Sequence, residues 1–278
     1  MKKLKKLISD WKRPYFQALS LVIFPLLFYV FGLTFDFDKV IAYIIDKYHI
    51  KISNMPTLVS FIISNARFFS TIVIFIVLLC FIRSKNSNVA LNSDTNTYHS
   101  HTWIEYLFCR RILAYRKCRL KLVPIPMQFK LICSGLFEEF IYDEGIHQAP
   151  ANDKVKITIH QYETSTVNIV ISDTYKIEKN QIPNTIKLLT TYFIDRSSRD
   201  HTRYDSEKLV KEVISTVRNL PQAVVKINVL ATTNPCNTYK IAKEAFCTGG
   251  RDTIKNLYVF SQEGNDGRNF VEKGMKIY

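Results

Sequence analysis

Carboxylates are the first residues of this sequence whose type could carry catalysis or hold a metal. Glu138-Glu139 and Asp143-Glu144 form its one acidic cluster, and no histidine or D-x-D-like pattern lies beside it. Such a cluster is typical of a solvated or salt-bridged helix face rather than of a metal site. The sequence also lacks the phosphate-loop, serine-hydrolase and zinc-protease motifs. An enzyme is therefore the weaker hypothesis, and neither a cofactor nor a metal is expected.

The histidines and cysteines are not spaced for metal binding either. His99-Ser-His101 has no carboxylate or cysteine at ligand spacing, and His147, His160 and His201 have no neighbour that would make a nucleophile. The six cysteines form no CxxC pattern. In a domain of this size they predict reduced cytosolic thiols rather than a disulfide framework.

Short polar side chains at the ends of three predicted strands are the candidates for ligand binding. Hydroxyl and amide groups at the start of a helix suit anionic groups, because free backbone N–H groups and the helix dipole point there. A second interpretation is that such residues only cap the helix that follows. The candidate ligand-binding residues are Ser172, Asp173, Thr232, Thr233, Asn234, Lys240 and Ser261.

An α/β fold must position these residues. Runs rich in β-branched residues predict strands, and apolar residues at helical spacing predict helices capped by residues such as Asp205 or Ser206. The predicted strands are 155–160, 167–172, 223–230 and 256–261, and the predicted helices are 182–193, 206–220 and 237–246. Their alternation predicts a Rossmann-like parallel sheet, in which ligands bind beyond the carboxyl ends of the strands.

The net charge of +14 indicates an anionic partner, which charge alone leaves open among lipid headgroups, nucleic acid and nucleotides. Residues 103–118 show helical periodicity with a basic face, which is explained by a nearby acidic membrane surface or by a ligand-facing or nucleic-acid-facing patch. Aromatic residues are not interleaved with these cations, so direct nucleic-acid binding is not expected. The cations of this face are Arg110, Arg111, Arg116 and Lys117, and Arg119 and Lys121 follow directly after the range.

Two apolar segments near the N-terminus predict transmembrane helices. Residues 15–33 carry no charge, and they are too long for a signal peptide and lack a small-residue cleavage site after them. The second segment is 58–82. Its uncharged part, 68–82, is too short to cross the hydrocarbon core, so the span must include Asn65 and Arg67. Arg67 either reaches back to the outer interface or lines, with Asn65, a water-filled path in an oligomer.

Lysines and arginines predict the orientation of these spans. They are in excess before the first span and after the second, whereas aspartates balance them in the connecting segment 34–56. Both termini are therefore expected in the cytoplasm. Apolar residues at helical spacing (Val40, Ile41, Ile44, Ile45 and Tyr48) predict an interfacial helix in the connecting segment.

The first 13 residues repeat this amphipathic pattern. Two interpretations explain it: an interfacial helix held by anionic lipid, or a plain topology signal. Residues 84–101 are rich in Ser and Asn and predict a linker. The predicted organisation is a basic amphipathic N-terminus (1–14), a two-helix transmembrane region with a short outside loop (15–83), a polar linker (84–101) and a cytosolic α/β domain (102–278).

The C-terminal third resembles a known family. INVLATTNPCNTYKIAKEAF and NLYVFSQEGNDGRNFVEKGMKI are similar to the end of SAVED domains, the sensors of cyclic-oligonucleotide-based anti-phage signalling (CBASS). In that family a strand leads into a small-residue-and-proline turn, a helix, a further strand and a hairpin-like tail. VNIVISDTYKIEKNQI resembles an earlier strand of the domain. The resemblance covers about Val167 to Tyr278 and implies a SAVED/CARF-like fold.

This resemblance implies a sensor of a cyclic di- or oligonucleotide fused to a membrane effector of two helices. Such a protein would oligomerise on ligand binding and disrupt the bacterial inner membrane, with a nucleotidyltransferase as its functional partner and anionic lipid around it. From the residues alone, a membrane-anchored adaptor that recruits a protein or nucleic acid through its basic face is the alternative. A membrane-bound hydrolase that acts through Glu138 or Glu139 is the third hypothesis.

Overall fold

The structure is a computed structural model that describes residues 12–48, 56–93, 96–143, 145–162, 165–196, 202–247, 254–264 and 267–278. Its chain divides into two compact units. We call Met1–Val89 with Leu107–Arg116 the helical unit, and Ala90–Tyr106 with Lys117–Tyr278 the α/β unit. The amphipathic pattern predicted for the first residues, up to residue 11, lies outside the described residues.

Two helices of the helical unit are long and apolar enough to cross a membrane, and most of their side chains are exposed. A core helix of a soluble domain would bury such side chains. Among the described residues, the helices that lie wholly in this unit are α1 (Lys12–Val30), α2 (Phe37–Tyr48), α3 (Pro56–Ser64) and α4 (Ala66–Asn86). Helix α2 confirms the helix predicted in the connecting segment, and its place at a membrane surface stays a prediction.

The second span differs from the predicted range 58–82. The helix is interrupted at Asn65, whose side-chain amide donates to the carbonyl oxygen of Phe61 at 2.9 Å. Asparagine readily makes such local hydrogen bonds to the backbone, which compete with those of the helix. Helix α4 then continues past Arg83 to Asn86. With 21 residues it is about 31 Å long, which is enough to cross the hydrocarbon core without α3.

Polar contacts hold α4 at both of its ends. At one end the backbone N–H of Phe35, in the segment that follows α1, donates to Ser70 Oγ at 2.8 Å. At the other end the amides of Gln17 and Asn86 donate to each other's oxygen atoms, at 2.8 and 2.9 Å. Two helices that meet through side-chain amides in an apolar region have a defined register, because an unpaired amide there costs free energy.

The segment Leu107–Arg116 is hydrogen-bonded to the end of the two spans that contains Gln17 and Asn86. Asn86 Nδ2 donates to the carbonyl oxygen of Leu113 at 2.9 Å, and the hydroxyl of Tyr115 donates to Gln17 Oε1 at 3.2 Å. Arg83 Nη1 donates to two further carbonyl oxygens of this segment, at 2.9 and 3.0 Å. Burial raises the pKa of Tyr115 to about 12, so its hydroxyl keeps the proton that it donates.

The α/β unit contains a six-stranded sheet in the order β11-β10-β9-β6-β7-β5. Its four central strands are parallel, and the edge strands β5 and β11 are antiparallel to their neighbours. The strands are β5 (Lys156–His160), β6 (Thr166–Ser172), β7 (Thr190–Asp195), β9 (Lys226–Ala231), β10 (Asn256–Phe260) and β11 (Met275–Lys276). The predicted parallel sheet and the hairpin-like tail, formed by β10 and β11, are thus confirmed.

Smaller sheets and helices make up the rest of what the structure describes of this unit. Three short parallel strands form one sheet and two form another. The first comprises β1 (Ala90–Leu91), β2 (Lys117–Arg119) and β3 (Glu139–Ile141), and the second β4 (His147–Gln148) and β8 (Tyr204–Asp205). The helices are α5 (Trp103–Arg111), α6 (Ile125–Cys133), α7 (Glu207–Arg218) and α8 (Pro235–Ile241), which continues as a wider turn through Ala242–Cys247. Helix α5 begins in the α/β unit and ends in the helical unit.

The helix predicted over 182–193 is wrong. Residues 179–181 form one 3-10 turn and 190–195 form β7. Pro183 stands at the start of the predicted helix, and the residue before a proline avoids the helical region. The run from Thr190 to Ile194 is β-branched or aromatic and favours a strand. Likewise, the helix predicted over 103–118 ends at Arg111, because residues 117–119 pair as β2.

The predicted linker 84–101 is partly structured, since it includes the end of α4 and strand β1, which pairs with β2. Helix α7 agrees closely with its prediction. Ser206 Oγ accepts the Leu209 N–H at 3.1 Å as its N-cap, and the apolar residues Leu209, Val213 and Val217 are fully buried.

The expectation of reduced thiols is contradicted at one pair. The end of α6 meets the turn after α8, and Cys133 and Cys247, whose Cα atoms are 5.0 Å apart, form a disulfide. The other four cysteines, all of which lie in the part of the chain that the structure describes, form no disulfide. A meeting of two residues 114 positions apart depends on the tertiary fold, which spacing in the sequence does not reveal.

The disulfide predicts the number of reactive thiols. Protein unfolded without reductant and treated with an alkylating reagent should gain four adducts, and reduction before alkylation should raise the number to six. Intact mass spectrometry counts the adducts. Cys133→Ser leaves Cys247 without its partner and should gain five adducts without reductant. Six adducts on unreduced wild-type protein would show that the pair is a dithiol.

Candidate functional site

A cleft opens where the order of the central sheet reverses. The chain adds β7 on one side of β6 and then β9 and β10 on the other side. The connections that leave β6 and β9 therefore run in opposite directions, and open α/β sheets bind ligands beyond the carboxyl ends of strands at this point. A cleft of about 390 Å³ lies there. Its volume is within the ~300–1,000 Å³ range of small-molecule sites.

The described lining of this cleft combines hydroxyl, amide, aromatic and apolar groups with the cation of Arg203. The predicted residues Thr232, Thr233, Asn234 and Ser261 all belong to the lining, so the structure brings together the ends of β9 and β10. Their binding of a ligand stays a prediction. The lining residues that sequence analysis did not single out include Tyr98, Thr174, Tyr175, Arg203 and Gln262.

Asp173 lies beneath this lining rather than in it. Its side chain is fully buried directly after β6. Its carboxylate accepts from Arg196 Nη1 at 2.8 Å, from Asn237 Nδ2 at 2.8 Å and from Asn234 Nδ2 at 3.0 Å. Burial raises the pKa of Asp173, and hydrogen bonds from Asn237 and Arg196 oppose the rise. Asp173 therefore ties the ends of β6, β7 and β9 together and positions the cleft residues.

Arg196 extends this network to the start of α7. Its guanidinium, which is almost fully buried, donates through Nε to both carboxylate oxygens of Asp153, at 3.0 and 3.1 Å. Ser206 Oγ donates to the same carboxylate at 2.5 Å, while the Ser206 N–H donates to Asn237 Oδ1 at 3.0 Å. Arg196 escaped the sequence analysis because the helix predicted over 182–193 hid the strand that ends just before it.

Besides Asp173, two predicted residues make internal contacts instead of lining the cleft. Ser172 Oγ accepts the N–H of Ile177 at 3.0 Å. Lys240 pairs with Asp205 at 2.6 Å. Burial works against ionisation of Asp205, but hydrogen bonds from Lys240 and Gln148 lower its pKa below the usual value.

The capping interpretation holds for one of the lining residues. Asn234 Oδ1 accepts the N–H of Asn237 at 3.0 Å and thereby caps α8. The neighbouring Thr232 Oγ1 donates to the carbonyl oxygen of Tyr175 at 2.6 Å. Both side chains thus help to shape the wall of the cleft through bonds within the protein.

Two further candidate groups of the α/β unit, an aromatic ring of the cleft and a carboxylate of the acidic cluster, already contact cations within the protein. Arg268 lies over the ring of Tyr175 at 4.1 Å, and this ring is part of the cleft. Glu139 of the acidic cluster pairs with Lys117 at 2.6 Å, which confirms a salt bridge but places it on a strand rather than a helix. Within the described part of the chain, no group of three or more His, Cys, Asp or Glu is placed to hold a metal.

Asn65 and Arg67 lie at the start of α4 in the helical unit, and both are exposed. With Tyr29 and Thr34 they line a separate cavity of about 380 Å³. The guanidinium of Arg67 packs on Gly32, where an added Cβ would lie 3.4 Å from Arg67 Cζ. A place of Arg67 in a pore stays a prediction.

A family model covers this chain from end to end. It is described as the SMODS- and Ubiquitin system-associated 2TM effector domain (SUa-2TM), and it matches residues 1–278. The chain therefore belongs to this family, and with α1 and α4 it is a membrane protein. None of the curated proteins compared with the sequence matches it.

Two solved structures of the Acinetobacter baumannii Cap4 SAVED/CARF-domain containing receptor are similar to part of the chain. The one with the cyclic trinucleotide 2′3′3′-cAAA is 12% identical, covers 60% of this chain and 40% of its own, and has a TM-score of 0.40. The one with 3′3′3′-cAAA is 11% identical, covers 83% and 64%, and has a TM-score of 0.41. This chain thus matches less than two thirds of the length of these receptors.

The buried Arg196 network predicts a large effect of one substitution. Arg196→Met leaves Asp173 and Asp153 without their shared cation and should lower the free energy of unfolding by about 3–5 kcal/mol. The midpoint of thermal unfolding, measured on the full chain in detergent, should then fall by about 6 °C or more. Lys211→Met removes an exposed cation paired with Glu207 at 3.4 Å and should change the midpoint little. Equal midpoints for the two variants would contradict the role given to Arg196.

Proposed function

We propose that this 2TM effector senses a cyclic di- or oligonucleotide in the cleft of its α/β unit, then oligomerises and disrupts the bacterial inner membrane. The cleft at the reversal of the sheet carries the proposal, because it belongs to a chain that also has two helices able to cross a membrane. The family description as an effector domain supports the same division of labour. The chain would act by binding and assembly rather than as an enzyme.

The chemistry of the cleft suits a nucleotide. Bases stack on aromatic rings such as those of Tyr98 and Tyr175, and the side chain of Tyr98 is 60% exposed. The hydroxyl and amide groups of Thr233, Ser261 and Gln262 can exchange hydrogen bonds with sugars and base edges. Arg203 adds a cation for a phosphate. The resemblance of residues 167–278 to SAVED domains points to a cyclic ligand of this class, which a nucleotidyltransferase would supply.

Membrane disruption would require several copies of the chain. Two helices cannot enclose a water-filled path, whereas helices from several copies can. Apolar side chains such as Phe16, Val22, Ile76 and Val77 are more than half exposed, so lipid or another copy must cover them. Ligand binding would favour the assembled state by a population shift.

The cytoplasmic placement of both termini rests on the lysines and arginines that flank the spans. Anionic lipid would then attract the basic N-terminus. Disulfides are rare in the cytosol, so the thiol count of the Cys133–Cys247 pair also bears on this placement.

Helix α5 offers a covalent route from sensor to spans. It begins in the α/β unit and ends in the helical unit, where the carbonyl oxygens of Arg111 and Leu113 accept from Arg83 and Asn86. A movement of α5 would therefore act on the end of α4 and, through Gln17, on the end of α1. Discrete hydrogen-bonded contacts of this kind can carry coupling between distant sites.

Leakage of dye from liposomes tests the proposed function. Liposomes that carry the full chain should release dye several-fold faster when the matching member of a panel of cyclic di- and trinucleotides is added. Ser261→Trp fills the cleft and should abolish binding and release, whereas Ser215→Trp, on the exposed face of α7, should behave as wild type. Absence of binding and of release across the panel would contradict the proposal.

If Asn86 transmits ligand binding from the α/β unit to the spans, its substitution should change dye release in the same liposome assay. Asn86→Leu keeps the size of the side chain and removes its bonds to Gln17 and Leu113. Nucleotide affinity should stay within about twofold of wild type, while ligand-dependent release should fall roughly tenfold, the equivalent of ~1.4 kcal/mol. Phe81→Leu, at an exposed site on α4, is the control. Release at the wild-type level, or release without ligand, would contradict transmission through Asn86.

A further inference from the structure

A smaller pocket adjoins the cleft within the α/β unit. It has a volume of about 130 Å³ and shares Arg203 and Pro235 with the lining of the cleft. It is much smaller than the cleft of about 390 Å³, so it suits a small group such as a phosphate rather than a whole nucleotide. The residues that line only this pocket are Arg119, Lys121, Ile141, Tyr142, Gly145 and Ile146.

Positive charge dominates this lining. It includes Arg119, Lys121 and Arg203, and no Asp or Glu belongs to it among the described residues. Two carboxylates of the same unit are already neutralised by lysines outside the pocket: Asp205 pairs with Lys240, and Glu139 pairs with Lys117. Asp143, next to Tyr142 in the chain, offsets part of the charge, but three cationic residues line one small pocket. A pocket lined in this way attracts an anion.

The walls of the pocket are held by contacts outside it. Arg119 lies at the end of β2, and its Nη1 donates to the carbonyl oxygen of Ser93 at 2.8 Å. The ring of Tyr142 stacks on that of Tyr239, with centroids 4.0 Å apart and planes 13° apart. Groups fixed in this way need little reordering when a ligand binds, which favours affinity.

We propose that this pocket binds a phosphate group of the ligand whose base and sugar occupy the cleft, with Arg203 in contact with both parts. The inference rests on the proposed function and adds a subsite to it. A phosphodiester carries one negative charge and oxygen acceptors, and the guanidinium and ammonium donors of the pocket match both features. Arg119 and Lys121 belong to the basic stretch for which sequence analysis left open a ligand-facing role.

The test removes two cations and keeps Arg119, whose bond to Ser93 supports the wall. The variant Lys121→Gln/Arg203→Gln is compared with Lys187→Gln/Lys211→Gln, which removes the same charge from exposed positions outside the pocket. Full-length protein in phosphatidylcholine nanodiscs is titrated calorimetrically with the cyclic nucleotide panel and, separately, with inorganic pyrophosphate. The pocket variant should bind both probes at least about tenfold more weakly and lose part of the salt dependence. The control variant should bind as wild type.

The two probes separate the subsite from the proposed function. If wild-type protein binds a cyclic nucleotide and the pocket variant binds it equally well, the subsite is wrong and the proposed function stands. If wild-type protein binds no cyclic nucleotide, the proposed function fails, and the pyrophosphate titration alone decides the subsite. Pyrophosphate that does not bind, or that binds the pocket variant as wild type, overturns it.

The same pyrophosphate titration in phosphatidylglycerol nanodiscs distinguishes a nucleotide phosphate from a lipid headgroup. A headgroup that filled the pocket would compete and weaken pyrophosphate binding to wild-type protein. At a salt concentration that screens the repulsion between pyrophosphate and the anionic bilayer, we expect the affinity for pyrophosphate to be equal in the two lipids. A loss of affinity in phosphatidylglycerol under that condition would overturn the assignment to the nucleotide.

Discussion

The carboxylate of Asp173 is buried at the point where the central sheet reverses, and the α/β unit is organised around it. It accepts hydrogen bonds from residues that follow β7 and β9, so three strand ends are held at one place. A buried charge is tolerated only when it is paired and fully hydrogen-bonded. That requirement determines where Arg196 and Asn234 must lie, and the walls of the cleft follow from their positions.

The same requirement applies in the helical unit, with amides instead of charges. Gln17 and Asn86 pair with each other, and Asn86 also binds the carbonyl oxygen of Leu113. An apolar surrounding makes an unpaired amide costly, so these bonds select one arrangement of the two spans and of the segment that follows α5. Each unit thus has a buried polar cluster at the place where its function would need a defined geometry.

Local patterns predicted most elements because each depends on neighbours in the chain. Helix α7 has its cap and its apolar stripe within one short stretch, and β6 and β9 are β-branched runs. The range 182–193 failed because apolar residues there fit a helical period, while the pairing of β7 with β6 decided for a strand. That error also concealed Arg196, since its position at a strand end was the signal that could have identified it.

By itself, the sequence determined two helices long and apolar enough to cross a membrane and the alternation that makes a parallel sheet. It also determined the strand-end position of Thr232, Thr233, Asn234 and Ser261, because hydropathy, periodicity and β-branching act over short distances. Only the tertiary structure decided which polar residues face the cleft and which lie beneath it, and which cysteines meet. It also brought Arg119, Lys121 and Arg203 to one pocket. Contacts between residues far apart in the chain depend on strand order and packing, and spacing along the sequence carries no direct record of them.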